Sequence, residues 1–377
     1  MFIFSTLTSL CYNLKMSRIL NFLSKKKEDV LQFFSNDIGI DLGTANALVY
    51  IKGLGVVIDE PSTVAYNNKT GMIIAVGFQA KEMVGRTPEH ITTERPIVDG
   101  VISNFEIAGE MIAYLINKAE KEYNKKFTLF GPRVVVGVPS GITNVEARAV
   151  RDASFDAGAR KVYVVEEPMA AAIGSNLPVK SPKGTIIVDI GGGTTDIAVI
   201  ALGGIVTSKK IVIAGDRFNR DIEDYIKTKF KLLIGENTAE EVKMKIGSVL
   251  GKKDKKAKIK GRDLISGLAR EIEISSADIR DAMKSSIDTL MSGIKEVIET
   301  TPPEILSDSI DSGMYISGGG SLIEGIHLLI SKQTKMPVHI VEDPLLAVVN
   351  GTSVILDDID NYKETVLSED NEGPIII

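Results

Sequence analysis

One cysteine, Cys11, and three scattered histidines, His90, His327 and His339, are all the soft or imidazole ligands that the 377 residues offer. A lone thiol cannot close an intramolecular disulfide, and neither residue type recurs at metal-ligand spacing, so a disulfide scaffold and a Cys/His metal site are both excluded. A reducing cytosol fits that usage. Positive charge is also in short supply: 44 Lys and Arg against 50 Asp and Glu leave a net charge of −6. No basic platform stands out, which argues against sequence-independent binding to nucleic acid, where dense cations must neutralise phosphates. The apolar opening MFIFSTLTSL is too short to span a bilayer, and no basic segment precedes it as in a signal peptide. The P-loop pattern GxxxxGK[ST] is missing as well, the only Gly-Lys step being Gly251-Lys252 in a charged stretch.

What is present is apolar bulk, 44% of the residues, enough over this length for sizeable cores in two or more domains. The chain then repeats itself. Residues 38–51 read IGIDLGTANALVYI and residues 187–200 read IVDIGGGTTDIAVI: an apolar strand, an aspartate, a glycine turn with small polar residues, and a second apolar strand. Such a long-period repeat implies two related α/β units with a site between them. Strand and helix signals follow each copy, as where RVVVGVP (133–139) leads into ITNVEARAVRDASFDAGA, whose apolar and small residues recur at helical spacing. Two stretches read as small inserts, about 61–98 with short strands and about 216–276, helical and charged. In the second, a Lys-rich loop through KKDKKAKIKGR suits a solvated surface better than a binding patch. The resulting partition is an extension at 1–36, one unit at 37–176, another at 177–356, and an acidic, loosely ordered tail at 357–377. Within the extension, Ile19, Leu20, Phe22 and Leu23 on one side of Lys25-Lys26-Lys27, and Val30, Leu31, Phe33 and Phe34 on the other, suit an amphipathic, interface-seeking helix or a surface helix packed on the body.

The glycine-rich turns raise the question of which anion they face. A dinucleotide fingerprint opens a helix, whereas Gly191, Gly192 and Gly193 are followed by the β-formers Ile197, Val199 and Ile200, so the reading is strand–turn–strand. Such a hairpin offers backbone N–H groups to phosphate oxygens and, through its aspartate, a carboxylate that holds Mg²⁺ through water. Two of them, headed by Asp41 and Asp189, would pinch the β- and γ-phosphates of a nucleotide; stabilisation of tight turns alone is the plainer alternative. VYVVEEPMAAAIG (162–174) is a strand, two carboxylates, and Pro168 at a helix start. A glutamate there is placed to deprotonate water for in-line attack on a γ-phosphoryl group, or simply to sit at the positive end of the helix dipole. MYISGGGSLIEGI (314–326) reads as strand, Gly318-Gly319-Gly320, then helix, with free amides for a phosphate or ribose.

At this point the residues resemble the superfamily of actin, sugar-kinase and large heat-shock-chaperone ATPases. The resemblance is closer still to the MreB family of bacterial actins, because DLGTAN, GRTP, RPIVDGVI, VPSGIT, EEPMAAAIG, DIGGGTT, GENTAEEVK, GRDLISGL and SGGGSLIEG look like that family's stretches, in its order, over roughly residues 37–356. It implies an α/β, actin-like, duplicated two-lobed ATPase fold with four subdomains and ATP with Mg²⁺ in a central cleft. It also implies roles: Gly43, Thr44, Ala45 and Asn46 in the first phosphate motif, Gly191, Gly192, Gly193 and Thr194 in the second, and Asp41 and Asp189 facing the metal through water. Glu167 matches the water-activating position, with Thr194 assisting and Asp189 completing the catalytic set. Glu240, Glu241, Val242 and Lys243, with Gly318, Gly319, Gly320 and Ser321, match the adenosine-binding stretches. One departure is Asp196, where the family carries a glutamate. The implied function is slow ATP hydrolysis coupled to self-assembly into filaments at the cytoplasmic face of an anionic lipid membrane, with shape-determining membrane proteins as partners and no nucleic acid. Phe127, Leu129 and Phe130 of KKFTLFGP (125–132) match an apolar, bilayer-dipping loop or pack inward as the lead-in to a strand. A small-molecule kinase of the same superfamily and a nucleotide-gated scaffold with little hydrolysis are the competing functions. A chaperone-type ATPase is disfavoured, since about twenty residues after the second unit are too few for a peptide-binding domain.

Overall fold

The computed structural model describes residues 37–123, 131–251 and 255–367. Two five-stranded sheets of the same topology dominate it. The first is built from β1 (Ile38–Leu42), β2 (Asn46–Ile51), β3 (Gly55–Pro61), β4 (Arg133–Val138) and β5 (Lys161–Glu166), in the order β5-β4-β1-β2-β3. The second is built from β6 (Thr185–Ile190), β7 (Thr195–Ala201), β8 (Gly204–Ile211), β9 (Met314–Ser317) and β10 (Val338–Ile340), in the order β8-β7-β6-β9-β10. In each, an antiparallel three-strand meander is extended by two parallel strands, so the sequence repeat is a repeat of whole sheets.

Every residue of β1, β4, β6 and β7 is buried. Helices on both faces account for the unbroken apolar runs that these strands show in place of alternation. On the first sheet lie α1 (Phe105–Tyr123) and α2 (Asn144–Asp156). The start of α2 is fixed by a capping box in which Thr143 Oγ1 accepts from Glu146 N and the Glu146 carboxylate accepts from Thr143 N. On the second sheet lie α4 (Gly215–Phe230), whose Phe218 and Ile222 are fully buried, and the 25-residue α6 (Ser276–Thr300).

Two helices join the sheets: α3 (Glu167–Gly174) and α7 (Ala347–Asp357). They cross at Gly174 and Gly351, so closely that a Cβ on Gly174 would lie 2.1 Å from Ala347 O and one on Gly351 1.9 Å from Ala170 O. α3 follows the first sheet in sequence and also packs on β6 and β7, while α7 lies on β1, β2 and β4. A third apolar core therefore runs between the sheets, drawing Val135 and Val165 from one and Ile187, Ala198 and Ile200 from the other.

Each half carries a small sheet. One is formed by Val64–Asn67, Ile73–Val76 and Ile91–Glu94, the other by Leu232–Leu233, Lys256–Asp263 and Ala269–Ser275. The second corrects the expected Lys-rich loop: Ala257 and Ile259 are buried while Lys256, Lys258 and Lys260 point outward, a two-residue period that the lysines conceal in the sequence. The expected loose tail is corrected in part. Helix Ile359–Tyr362 and a turn at Lys363–Thr365 pack on the body, with Leu367 N donating to Val164 O at 2.8 Å and Leu367 O accepting from Arg151. The amphipathic stretch at 16–34, the apolar residues Phe127, Leu129 and Phe130, and the tail from 368 onward lie outside the described residues.

Candidate active site

Asp41 and Asp189 are each the penultimate residue of an inner strand, and the turns that follow, 43–45 and 191–194, face one another between the two halves. A Cβ built on Gly192 would fall 2.7 Å from Ala45 Cβ, and one on Gly193 would fall 2.7 Å from Thr44 Cγ2. Neither glycine has a positive φ. Clearance from the opposite hairpin, and not a left-handed backbone, is what demands glycine at these positions. Thr44 and Thr194 are buried, while Asn46 sits at the rim and donates to Asp59 Oδ1 at 2.9 Å.

Four carboxylates converge behind the turns. Burial first, and then the neighbouring Asp189 charge, push Asp41 up to about 8. Burial raises Asp189 to about 6 even though Ser317 Oγ donates to its Oδ1 at 2.7 Å. Glu167 opens α3 ahead of Pro168 with its Oε1 buried and without a hydrogen-bond partner among the described residues. Its pKa is raised well above the ordinary range by burial and by Asp41, Asp196 and Asp189, with Lys210 opposing. Asp196 is raised by burial against hydrogen bonds that include Thr194 Oγ1, which donates to its Oδ2 at 3.1 Å. The structure also separates the two glutamates of the EEP stretch, since Glu166 turns away to accept from Gly141 N at 3.0 Å.

The remaining expected residues divide. Lys243, on α5 (Glu236–Ile246), donates to Gly215 O at 2.9 Å, and Gly215 N and Asp216 N donate in turn to Gly191 O and Gly192 O. Lys243 is therefore wired to the second glycine turn, and burial lowers its pKa. Glu240, one helical turn away on the same face, lies 3.9 Å from Lys81 of the first half. Val242 instead enters the apolar core and Glu241 is exposed, so neither side chain joins that group. Gly318 follows β9 with φ +76, and a Cβ there would fall 2.3 Å from Ile190 O. The helix expected directly after the glycines begins only at Ile326; Gly319–Leu322 forms a short 3₁₀ turn, closed by Ser321 Oγ donating to Gly318 O at 2.7 Å.

Several residues of this region have a role that only the fold gives them: Arg95 opens the RPIVDGVI stretch and Ser317 the SGGGSLIEG stretch, but neither stretch shows what they meet. Arg95, from the first half, donates to Asp216 Oδ2 at 2.6 Å and to Glu236 Oε1 at 2.7 Å in the second, bridging the mouth of the cleft. A cavity of about 140 Å³ opens there, lined by Ala45, Lys81, Glu94, Arg95 and Glu236 among others. Ser317 donates to Asp189, which its place in SGGGSLIEG does not reveal, and the Lys210 charge acts on Glu167 from a position outside every quoted stretch.

A family model described as MreB/Mbl protein matches residues 35–364. The chain is 46% identical over 336 residues to the cell shape-determining protein Mbl of Bacillus cereus (strain ATCC 10987 / NRS 248), covering 89% of this chain and 99% of that protein. It is 42% identical over 342 residues to the cell shape-determining protein MreB of Escherichia coli (strain K12), covering 89% and 98%. Among solved structures, MreB 5 of Spiroplasma citri bound to AMPPNP superposes with a TM-score of 0.80 at 38% identity, covering 88% of this chain and 98% of that one.

Proposed function

Because the chain belongs to the MreB/Mbl protein family, we propose that it is a cytoskeletal ATPase acting in cell shape, which binds ATP with Mg²⁺ between its two lobes. Its fold is actin-like, with each lobe carrying a small insert beside a central cleft. We place the lobes at 37–176 and 177–356. The observation that carries the reading is the apposition of the two glycine turns in front of buried Asp41, Asp189 and Glu167.

In this reading the amides of 43–46 and 191–194 hold the β- and γ-phosphates, and the stretch 318–321 with Lys243 and Glu240 borders the adenosine. The acids fit Mg²⁺: they are hard oxygen donors, buried so that the charge of Asp189 raises the Asp41 pKa, and a divalent cation would offset both burial and repulsion. Among the described residues no cluster of three or more acids, His or Cys is arranged to hold a metal directly. Asp41 and Asp189 would therefore act through water, the ion supplying charge neutralisation on the phosphates when bound. Glu167, with Thr194 beside it, orients a water in line with the γ-phosphorus and takes its proton; the bond from that phosphorus to the bridging oxygen breaks, leaving ADP and phosphate. A buried glutamate whose pKa is raised by burial and by Asp41, Asp196 and Asp189 holds a proton more tightly than an ordinary carboxylate, as that task requires.

We further propose that ATP binding favours self-assembly into filaments and hydrolysis weakens them, on the inner face of an anionic membrane. No helix among the described residues is long and apolar enough to cross a membrane. Surface attachment would fall to 16–34 or to Phe127, Leu129 and Phe130. The test is sedimentation and phosphate release at micromolar protein with ATP and Mg²⁺. Glu167→Gln is expected to lower phosphate release at least about 100-fold with ATP binding retained. Undiminished release, or a wild-type chain that stays monomeric with and without lipid, would overturn the reading.

A further inference from the structure

Lys210 is the cation that acts on the acid cluster, and no motif points to it. It lies on β8 directly across the β7–β8 register from Asp196. Its Nζ donates to the carbonyl of Gly100 at 3.1 Å. That carbonyl comes from the other lobe, at the tip of a small hairpin formed by Ile97–Val98 and Val101–Ile102. Asp99 and Gly100, at φ 54 and 72, make its two-residue turn. The packing at this tip is tight: a Cβ on Gly100 would fall 2.6 Å from Thr194 Cγ2 and 3.1 Å from Lys210 Cδ. Three groups therefore meet at one point: the Thr194 side chain of the second phosphate turn, the Lys210 stem, and a hairpin tip of the opposite lobe. The Lys210 charge lowers the pKa of Asp196, of Glu167 and of Glu146 at the start of α2.

We propose that Lys210 is a positioning residue for hydrolysis: anchored on the Gly100 carbonyl, it supplies the fixed positive charge that holds Asp196, Thr194 and Glu167 in place around the attacking water, and only while the two lobes are in contact. The inference rests on Glu167 as the water-activating group. Its physical basis is that Glu167 is repelled by Asp41, Asp196 and Asp189, so without an internal cation the acids splay or take up protons; a tethered ammonium prevents both. Because the tether is a backbone carbonyl of the other lobe, separating the lobes frees the charge.

The test compares Lys210→Met, which keeps the stem and removes the charge, with Lys210→Arg, which restores it. Lys209→Met is the control of equal charge change, its lysine being paired with Glu296 away from the site. Lys210→Met is expected to lower kcat for phosphate release about 10-fold with the Kd for ATP unchanged, and to raise amide exchange in 97–102. Lys210→Arg should recover most of kcat, and Lys209→Met should match wild type in all three readouts. A Lys210→Met protein that keeps pace with an active wild type, or a loss that Lys210→Arg does not repair, refutes the role of Lys210 alone. A wild type that releases no phosphate refutes the hydrolysis reading and this role with it. Retained ATP binding in each variant distinguishes a positioning defect from misfolding.

Discussion

Asp41→Asn should make the nucleotide-free protein more stable while removing a group on which its chemistry depends. In the folded chain Asp41 is buried and pushed up to about 8, against 3.8 in an ordinary environment. A folded-state pKa above the unfolded one means that the native form holds its proton more tightly. The associated stability is therefore complete below about pH 4 and is lost as pH rises toward about 8. From the ordinary value to about pH 7 is roughly three units at about 1.4 kcal/mol each, so the carboxyl costs the apoprotein about 4 kcal/mol at that pH. Asparagine keeps the shape and stays neutral. Its new amide N–H groups face acids and a glycine turn, and incomplete hydrogen bonding takes back about 1 kcal/mol, leaving about 3 kcal/mol of net gain. For a chain of this size, whose unfolding entropy is about 0.7–0.8 kcal/mol per degree, that is an increase of about 4 °C in Tm. Thermal unfolding of wild type and Asp41→Asn without nucleotide, at about pH 7 and about pH 4, reads it directly. The gap should be present at the higher pH and close at the lower one, where both side chains are neutral. An Asp41→Asn protein no more stable than wild type at pH 7, or a gap that persists undiminished in acid, would refute the reasoning. Mg²⁺ with ATP should raise the Tm of wild type far more than that of the variant.

Gly351→Ala places a methyl group against Ala170 O where α3 and α7 cross, and is expected to cost about 3 kcal/mol or more, seen as a lower denaturation midpoint; a neutral result would mean that the helices separate freely. Arg95→Ala removes the bridge to Asp216 and Glu236; it should speed nucleotide release about 10-fold in stopped-flow chase while changing stability by only about 1 kcal/mol, since the pair is partly exposed. Ser317→Ala takes away the hydrogen bond that partly offsets burial at Asp189, so that carboxyl should titrate higher still. Mg²⁺-dependent ATP binding should weaken near neutrality and recover as pH rises, and equal loss at every pH would contradict this account.

Much of the fold was legible because it is written in apolar runs. The strands 38–42 and 185–190 are buried, largely apolar runs, as sheets covered on both faces require, and each carries an aspartate next to its last residue and is followed by glycine. The strand at 256–263 was hidden because its outward positions are lysines, and charge run outweighed period. The delayed helix after Gly318-Gly319-Gly320 was not legible either, since the 3₁₀ turn is held by a Ser321 side chain bonding back to Gly318. Among the site residues, those that sit beside a turn in sequence, Asp41, Asp189 and Glu167, could be found by reading along the chain. Ser317, Lys210 and Arg95 could not, because their partners lie 128, 110 and 121 residues away.

Taken alone, then, the order of residues determined local chemistry: which strands are wholly buried, where the chain turns, which acid heads each hairpin, and that the same unit occurs twice. Apolar periodicity and glycine placement are short-range properties, and a linear sequence records them faithfully. Only the tertiary structure decided that Gly192 and Gly193 are glycine for want of room against Ala45 and Thr44, that Glu167 and not Glu166 enters the acid cluster, and that Lys210 meets Gly100 from the other lobe. Those facts depend on how two sheets are set against each other through the crossing at Gly174 and Gly351, where backbone approach sets the geometry and no single segment carries the information.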